Sequence, residues 1–257
     1  MFMRKKLYVF LASALVINFL FVYATTKPSD IILTASNPSN LSDAVVADNV
    51  ADGDVPVKSN SSLYDSLQLS QLNLSRNAFN FAIEGYNHLL SSGKLKNDDL
   101  ISIVDFSLPS SRKRLFIIDL KKKEVVYNTY VAHGRNSGKE MASEFSNQPE
   151  SNKSSLGLYL TGDTYIGKHG FSLRLLGEEK GINDNANSRA IVMHSAPYVS
   201  EGAIKMQGFI GRSLGCPALP ENVYRPIIEK IKNGSCLFLY SPDKYYAMHS
   251  TIVKKLA

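Results

Sequence analysis

The sequence has 257 residues and contains no tryptophan and only two cysteines, Cys216 and Cys236. Two cysteines allow at most one disulfide bond, so a scaffold held together by many disulfides is excluded. There is no Lys/Arg stripe with interleaved aromatic residues, and nothing indicates a nucleic-acid-binding module. With 44% hydrophobic and 20% charged residues, the chain has the composition of an ordinary globular protein.

Long apolar runs are also scarce, and the one that stands out is at the N-terminus. Arg4-Lys5-Lys6 is a basic region, and residues 7–24 form a largely apolar stretch that ends in Val22-Tyr23-Ala24. This pattern fits a cleaved signal peptide, and the run is also just long enough for an uncleaved membrane anchor. Both interpretations place the rest of the chain outside the cytoplasm, because the basic flank stays inside.

The rest of the chain is predicted to be a linker, a domain and a tail. Residues 25–74 are rich in Ser, Asn, Asp, Val and Ala, and most of them lack a hydrophobic period, which predicts a flexible linker. Residues 75–245 carry the periodic patterns of a folded domain, and residues 246–257 are predicted to be a C-terminal tail. The formal charge after residue 74 is basic, which suits an anionic envelope polymer, although a solvated basic surface is the more ordinary interpretation.

The domain is predicted to be mainly β, with a sandwich or barrel-like sheet, one helix at its start and one helix after the turn that carries Cys216. Ser75 is a predicted N-cap, and apolar residues at helical spacing follow it up to Leu90. A second helical face begins at Val223 and ends before Gly234. Short apolar runs predict the strands, at residues 101–106, 115–119, 125–131, 158–162, 172–176, 190–194 and 236–240.

Two stretches carry the candidate chemistry. Residues 191–195 are predicted to form a strand that ends near His194, and residues 211–218 a glycine-bearing turn that presents Cys216. A thiol needs a base to become a nucleophile, and imidazole is the usual base. Strand and turn would bring the two side chains together if they share one end of a sheet. The backbone amides of such a turn also suit a thiolate or an oxyanion.

Spacing alone leaves other interpretations of these residues open. A disulfide between Cys216 and Cys236 is the ordinary expectation for two cysteines in an exported protein, although Cys236 lies in an apolar strand that suits an inert buried thiol. A zinc site is formally conceivable, but the chain lacks closely spaced His/Cys pairs. Its four ligands would be His133, His169, His194 and Cys216.

An ordered set of motifs resembles the murein L,D-transpeptidase catalytic-domain family, a branch of the YkuD-type L,D-transpeptidases. His194 followed by Ser213-Leu214-Gly215-Cys216 is similar to the His…Ser-x-Gly-Cys signature of that type. The resemblance covers roughly residues 75–241 and favours the nucleophile over the disulfide. Four further stretches occur in the same order, at residues 131–134, 145–147, 154–157 and 167–170.

The resemblance implies a mainly β fold with cysteine and histidine at one end of the sheet, and no metal or organic cofactor. Carried over position by position, Cys216 is the nucleophile and His194 is its base. The carbonyl of Ser195 is expected to orient the imidazole. The amides of Gly215 and Cys216, with Ser213, are expected to hold the oxyanion.

The substrate implied by the resemblance is the stem peptide of peptidoglycan, in the periplasm or cell envelope. Many relatives carry an arginine two residues after the cysteine, where this chain has Ala218, so Arg212 is the candidate carboxylate binder in its place. Residues 133–156 and 181–188 are the candidate lid. The full set of predicted substrate-binding residues is Arg212, His133, Asn147, Lys168 and His169.

The sequence leaves the reaction itself partly open. An amine acceptor gives a cross-linking transpeptidase, whereas water gives an L,D-carboxypeptidase or endopeptidase. A catalytically silent peptidoglycan-binding module and a general cysteine peptidase are further alternatives. A monomer is expected, held at the inner membrane by residues 7–24 if that segment is retained.

Overall fold

A computed structural model describes the backbone of residues 57–254 and the side chains from residue 62 onward. The predicted targeting segment and most of the predicted linker lie outside the described residues. Within residues 57–254, none of the helices combines the length and the apolar character needed to span a membrane.

The described part of the chain forms five helices and eight strands. The helices are α1 (Val57–Ser66), α2 (Arg76–Ser91), α3 (Glu201–Gln207), α4 (Tyr224–Ile231) and α5 (Lys244–His249). The strands are β1 (Leu100–Asp105), β2 (Leu115–Asp119), β3 (Glu124–Thr129), β4 (Gly157–Gly167), β5 (Gly170–Gly177), β6 (Val192–Ser195), β7 (Ala218–Leu219) and β8 (Cys236–Tyr240).

The strands form one sheet in the order β3-β2-β1-β8-β4-β5-β6-β7. The chain that follows β3 approaches the chain that precedes β7, so the two ends of the sheet nearly meet. Ala132 donates its N–H to the carbonyl of Ala218 over 2.8 Å, and Ser213 donates to the carbonyl of His133 over 2.9 Å. A parallel bridge joins Gly134 to Ser213. The predicted mainly β, barrel-like architecture is therefore confirmed.

The helix at the start of the domain is positioned by its cap and by one close contact. The Ser75 hydroxyl accepts the N–H of Ala78, which confirms Ser75 as the N-cap of α2. A side-chain carbon at Gly85 would lie 2.8 Å from Leu158 and 3.2 Å from Phe238, so only glycine allows α2 to lie this close to the sheet. Helix α2 thereby covers β8 and β1, two of the fully buried strands.

The structured region extends beyond the predicted bounds of residues 75–245 at both ends. Tyr64, on α1, is buried before the first predicted boundary. Beyond the second, Tyr246 on α5 and Ser250 are buried, and both hydroxyls donate to the carboxylate of Glu179. Residues assigned from sequence to the linker and the tail thus complete the core.

Candidate active site

The candidate nucleophile and base come together because two short strands run in parallel. Strand β6 carries His194, and β7 pairs with it so that His194 lies opposite Ala218. Cys216, two residues before Ala218, therefore lies beside β6, and the N–H of Val192 donates to its Sγ over 3.5 Å. Cys216 and His194 line one cleft of about 360 Å³. The sequence-based expectation that these two residues share one end of the sheet agrees with this placement.

The two cysteines differ completely in environment. Both are unpaired, with Cys236 fully buried in β8 and Cys216 partly exposed in the cleft. The Cys216 thiol donates to the carbonyl of Ala190 over 3.7 Å. Burial raises the pKa of Cys216, while the N–H of Val192 and the Arg189 guanidinium act in the opposite direction. The resting thiol therefore needs a base close by to become a thiolate.

The geometry of His194 suits a candidate base. The residue is only 3% exposed, and its Nδ1 lies 2.8 Å from the carbonyl oxygen of Ser195. Because a carbonyl can only accept, Nδ1 carries the hydrogen and Nε2 of the neutral ring keeps a free lone pair. Burial lowers the pKa of His194, so the neutral ring is favoured at rest.

The turn before Cys216 is held by its own hydrogen bonds. The Ser213 hydroxyl donates to the carbonyl of Cys216 over 2.7 Å and accepts the N–H of Gly215 over 3.0 Å. Gly215 has φ +127°, and an added Cβ would lie 2.8 Å from the carbonyl oxygen of Lys153. Glycine is therefore required here. The Gly215 amide, expected from sequence to face an oxyanion, is engaged by Ser213 in this state.

A buried cation supports this turn from behind. Arg114 is fully buried, and its guanidinium donates to the carbonyl of Val131 and to Nδ1 of His133, the latter over 2.7 Å. Nε2 of His133 then donates to the carbonyl of Gly138 over 3.2 Å. Burial first, and Arg114 second, lower the pKa of His133 to about 4. Since the His133 carbonyl accepts the N–H of Ser213, this network anchors the turn.

The predicted substrate-binding residues separate into two groups. Lys168, His169 and Arg212 line the cleft. His133 does not, because it lies in the interior behind the turn. Asn147 does not either, since its amide donates to the Asp184 carboxylate over 2.7 Å and so joins two loops.

Sequence reasoning missed Arg189, which also lines the cleft. Its guanidinium donates to the carbonyls of Ser146 and Lys153, over 2.8 and 2.7 Å, and to the hydroxyls of Ser151 and Ser155. Arg189 thereby fixes residues 146–155, which belong to the predicted lid of residues 133–156. The sequence offered one signal for Arg189, namely its position directly before the predicted strand 190–194, which carries the candidate base.

The charge around the cleft is positive. Its cationic side chains are Lys168, Arg189 and Arg212, and the lining residues that the structure describes include no Asp or Glu. Across the described residues, no group of three or more His, Cys, Asp or Glu side chains is arranged to hold a metal ion. The alternative zinc site is therefore not assembled, since His133 is buried away from the cleft.

Comparison with known proteins identifies the family. A family model described as the L,D-transpeptidase catalytic domain matches residues 70–240. The chain therefore belongs to the L,D-transpeptidase catalytic-domain family. None of the curated proteins matches the sequence.

Similar solved structures include an L,D-transpeptidase from Mycobacterium smegmatis, at 12% identity and TM-score 0.35 over 56% of this chain. L,D-transpeptidase 3 from Mycobacterium tuberculosis is similar at 12% identity and TM-score 0.36, over 56% of this chain. The helical cell shape determining protein Pgp2 from Campylobacter jejuni follows at 15% identity and TM-score 0.38, over 66%. The matches cover 59%, 61% and 58% of those three chains, respectively.

Proposed function

We propose that this protein is a peptidoglycan L,D-transpeptidase that transfers an acyl group through a thioester on Cys216, with His194 as the base. The observation that carries the proposal is the cleft in which Cys216 lies beside the strand that bears an oriented, neutral His194. Membership of the L,D-transpeptidase family supplies the substrate class, the stem peptide of peptidoglycan.

In the first half-reaction, Nε2 of His194 accepts the Cys216 proton as Sγ attacks an amide carbonyl of the donor stem, such as the bond between diaminopimelate and D-alanine. The sulfur–carbon bond forms, and the carbonyl oxygen takes up negative charge at the turn. His194 then gives its proton to the leaving amine as the carbon–nitrogen bond breaks. The product of this step is a thioester on Cys216.

In the second half-reaction, an amine of a neighbouring stem attacks the thioester. His194 accepts the amine proton and returns it to the sulfur, which restores the thiol and completes a cross-link. If water attacks instead, the same chemistry makes the protein an L,D-carboxypeptidase or endopeptidase. A transpeptidase must therefore favour the amine over water at this step.

The cationic lining supports a substrate that carries carboxylates. Lys168 is exposed at the edge of the cleft. Arg212 lies on the turn of residues 211–218, which we call the nucleophile turn. Stem peptides present several carboxylates, which guanidinium and ammonium groups bind well. We assign Arg212 to one such carboxylate, in place of the arginine that relatives carry after the cysteine. The same substrate places the protein in the cell envelope or periplasm, with residues 7–24 as signal peptide or anchor.

The test is mass spectrometry of tetrapeptide muropeptides incubated with the full-length protein, Cys216→Ala and Cys236→Ala. Cys236→Ala is the matched control because it removes the other thiol, which lies in the core at β8. We expect a cross-linked dimer that lacks one D-alanine from the wild type and from Cys236→Ala. Cys216→Ala should form none, with its thermal midpoint little changed.

The other outcomes separate the alternatives. If the wild type forms only tripeptide monomers and Cys216→Ala forms none, water is the acceptor and the enzyme is a hydrolase. Binding of muropeptides without turnover would favour a silent peptidoglycan-binding module. Activity retained by Cys216→Ala would contradict the proposed mechanism.

A further inference from the structure

His169 lies face to face with the candidate base. The ring centroids of His169 and His194 are 4.4 Å apart, and their planes differ by 19°. His169 is exposed at the turn between β4 and β5, whereas His194 is buried on β6. The contact therefore joins an exposed imidazole to the buried imidazole that the proposed function uses.

The fold sets this contact. Gly167 pairs with Gly170 across the hairpin, which leaves Lys168 and His169 as the two residues at its tip. Strand β5 of the hairpin pairs directly with β6, the strand that carries His194. The hairpin tip is thus attached to the base through two neighbouring strands, and the stack is part of the sheet geometry.

Among the described residues that line the cleft with these two rings, none is an Asp or Glu. The titratable and charged groups that line it are phenols, cations and one thiol. They are Tyr165 and Lys168 on the hairpin, Arg189 before β6, Tyr198 after β6, and Arg212 and Cys216 on the nucleophile turn. A positive charge on His194 is therefore not offset by a carboxylate, and a second positive charge in the stack opposes it directly.

We propose that His169 is a positioning residue for His194. Its neutral ring holds the His194 imidazole against the Ser195 carbonyl, and its protonated ring opposes a positive charge on His194. This inference rests on the proposed function, in which His194 is the base. It differs from the sequence-based expectation that His169 binds substrate.

The contact has two effects that differ in their physical origin. Burial is the largest cause that lowers the pKa of His194, and the charge of His169 acts in the same direction. His194 therefore stays neutral to a lower pH than it would without His169. The stacking contact, by contrast, needs only an aromatic face and no charge.

The test compares the pH dependence of kcat/KM for the full-length wild type, His169→Phe and His169→Ala on tetrapeptide muropeptides. Phenylalanine keeps an aromatic face but cannot be protonated, and alanine removes both properties. In His169→Phe the acidic limb of the pH profile should move to higher pH by at least about 0.5 unit, since one charge at this separation shifts a neighbouring pKa by that much even in water. At pH 8, His169→Ala should lose about tenfold, since small displacements of a catalytic group are costly.

At the same pH, His169→Phe should lose at least threefold less activity than His169→Ala. If both variants lose activity equally at pH 8, the ring nitrogens contact substrate and the positioning role is overturned. An unshifted acidic limb in His169→Phe would overturn the charge effect.

A measurement without substrate separates this inference from the proposed function. NMR titration of the ring protons of His194 should give a higher pKa in His169→Phe than in the wild type. If the wild type acts on no muropeptide, the proposed function fails. The titration still shows whether His169 changes the pKa of His194. An unchanged His194 pKa in that titration would refute the inference even in an active enzyme.

Discussion

His133 and His194 are two buried histidines whose surroundings give them opposite roles. His133 accepts a hydrogen bond from a buried guanidinium, so its ring is locked between Arg114 and the carbonyl of Gly138. His194 has one nitrogen bound to a carbonyl and the other free in a cleft. Burial lowers the pKa of both residues.

Burial alone does not distinguish a structural histidine from a candidate catalytic one. The two residues differ in the hydrogen-bond partners of their ring nitrogens. Both nitrogens of His133 are engaged, so it can neither accept nor release a proton without breaking the network. His194 keeps a free lone pair on Nε2 in the cleft that Cys216 also lines. The two sites also depend on each other, because the His133 carbonyl holds Ser213 on the nucleophile turn.

The largest expected effect separates the two histidines by activity. His194→Gln should lower kcat/KM on muropeptides by about 10²–10⁴-fold, the usual contribution of a general acid–base group. His133→Gln is the matched substitution and should retain most of the activity at pH 7.5, because glutamine can also accept from Arg114 and donate to Gly138. Equal losses in the two variants would refute the division of roles.

The next effect concerns the cation behind the turn. Arg114→Met should destabilise the protein by about 3–5 kcal/mol, since it leaves His133 Nδ1 and the carbonyls of Val131 and Leu108 without their buried donor. Urea denaturation at pH 7.5 measures the change. Arg112→Met, at an exposed position two residues earlier, is the control and should stay within about 0.5 kcal/mol. A loss below 1 kcal/mol in Arg114→Met would show that the network contributes little.

The smallest expected effect is the pH dependence of stability. The pKa of His133 is about 4 in the folded protein, against 6.5 as the ordinary value, so the unfolded chain binds more protons between these pH values. The contribution is fully present above pH 6.5 and is lost as the pH falls towards 4, by up to about 3 kcal/mol. His133→Gln should lose less stability over this range in urea denaturation. Parallel curves for the two proteins would contradict the assignment.

Much of the fold could be predicted from the sequence, because the strands and the two main helices have clear apolar periods. Helix α1 was missed because its ten residues include four serines and one asparagine, and its burial depends on Tyr64 reaching the carbonyl of Leu74. Strand β7 was missed because two residues carry no period. Part of helix α5 was assigned to a tail. The residue that holds it, Glu179, accepts the Tyr246 hydroxyl but is distant in sequence.

The candidate site was predicted in its centre but not in its surroundings. Two motifs predicted that His194 and Cys216 lie together, and both residues line one cleft. The partner of His133 did not, because a buried arginine cannot be recognised from local sequence. The same holds for the stack of His169 on His194, which arises only when β5 pairs with β6.

The central place of β8 has a consequence for how the chain folds. This strand comes last in sequence, yet it lies between β1 and β4 and joins three strands on one side to four on the other. Until residues 236–240 have been synthesised, β1 and β4 lack the strand that pairs with both of them, and their edges stay exposed. Folding must therefore wait for the C-terminal end of the chain, and the long-range pairing that completes it is expected to be slow. The nucleophile turn, which spans the closing point of the sheet, is then among the last features to form.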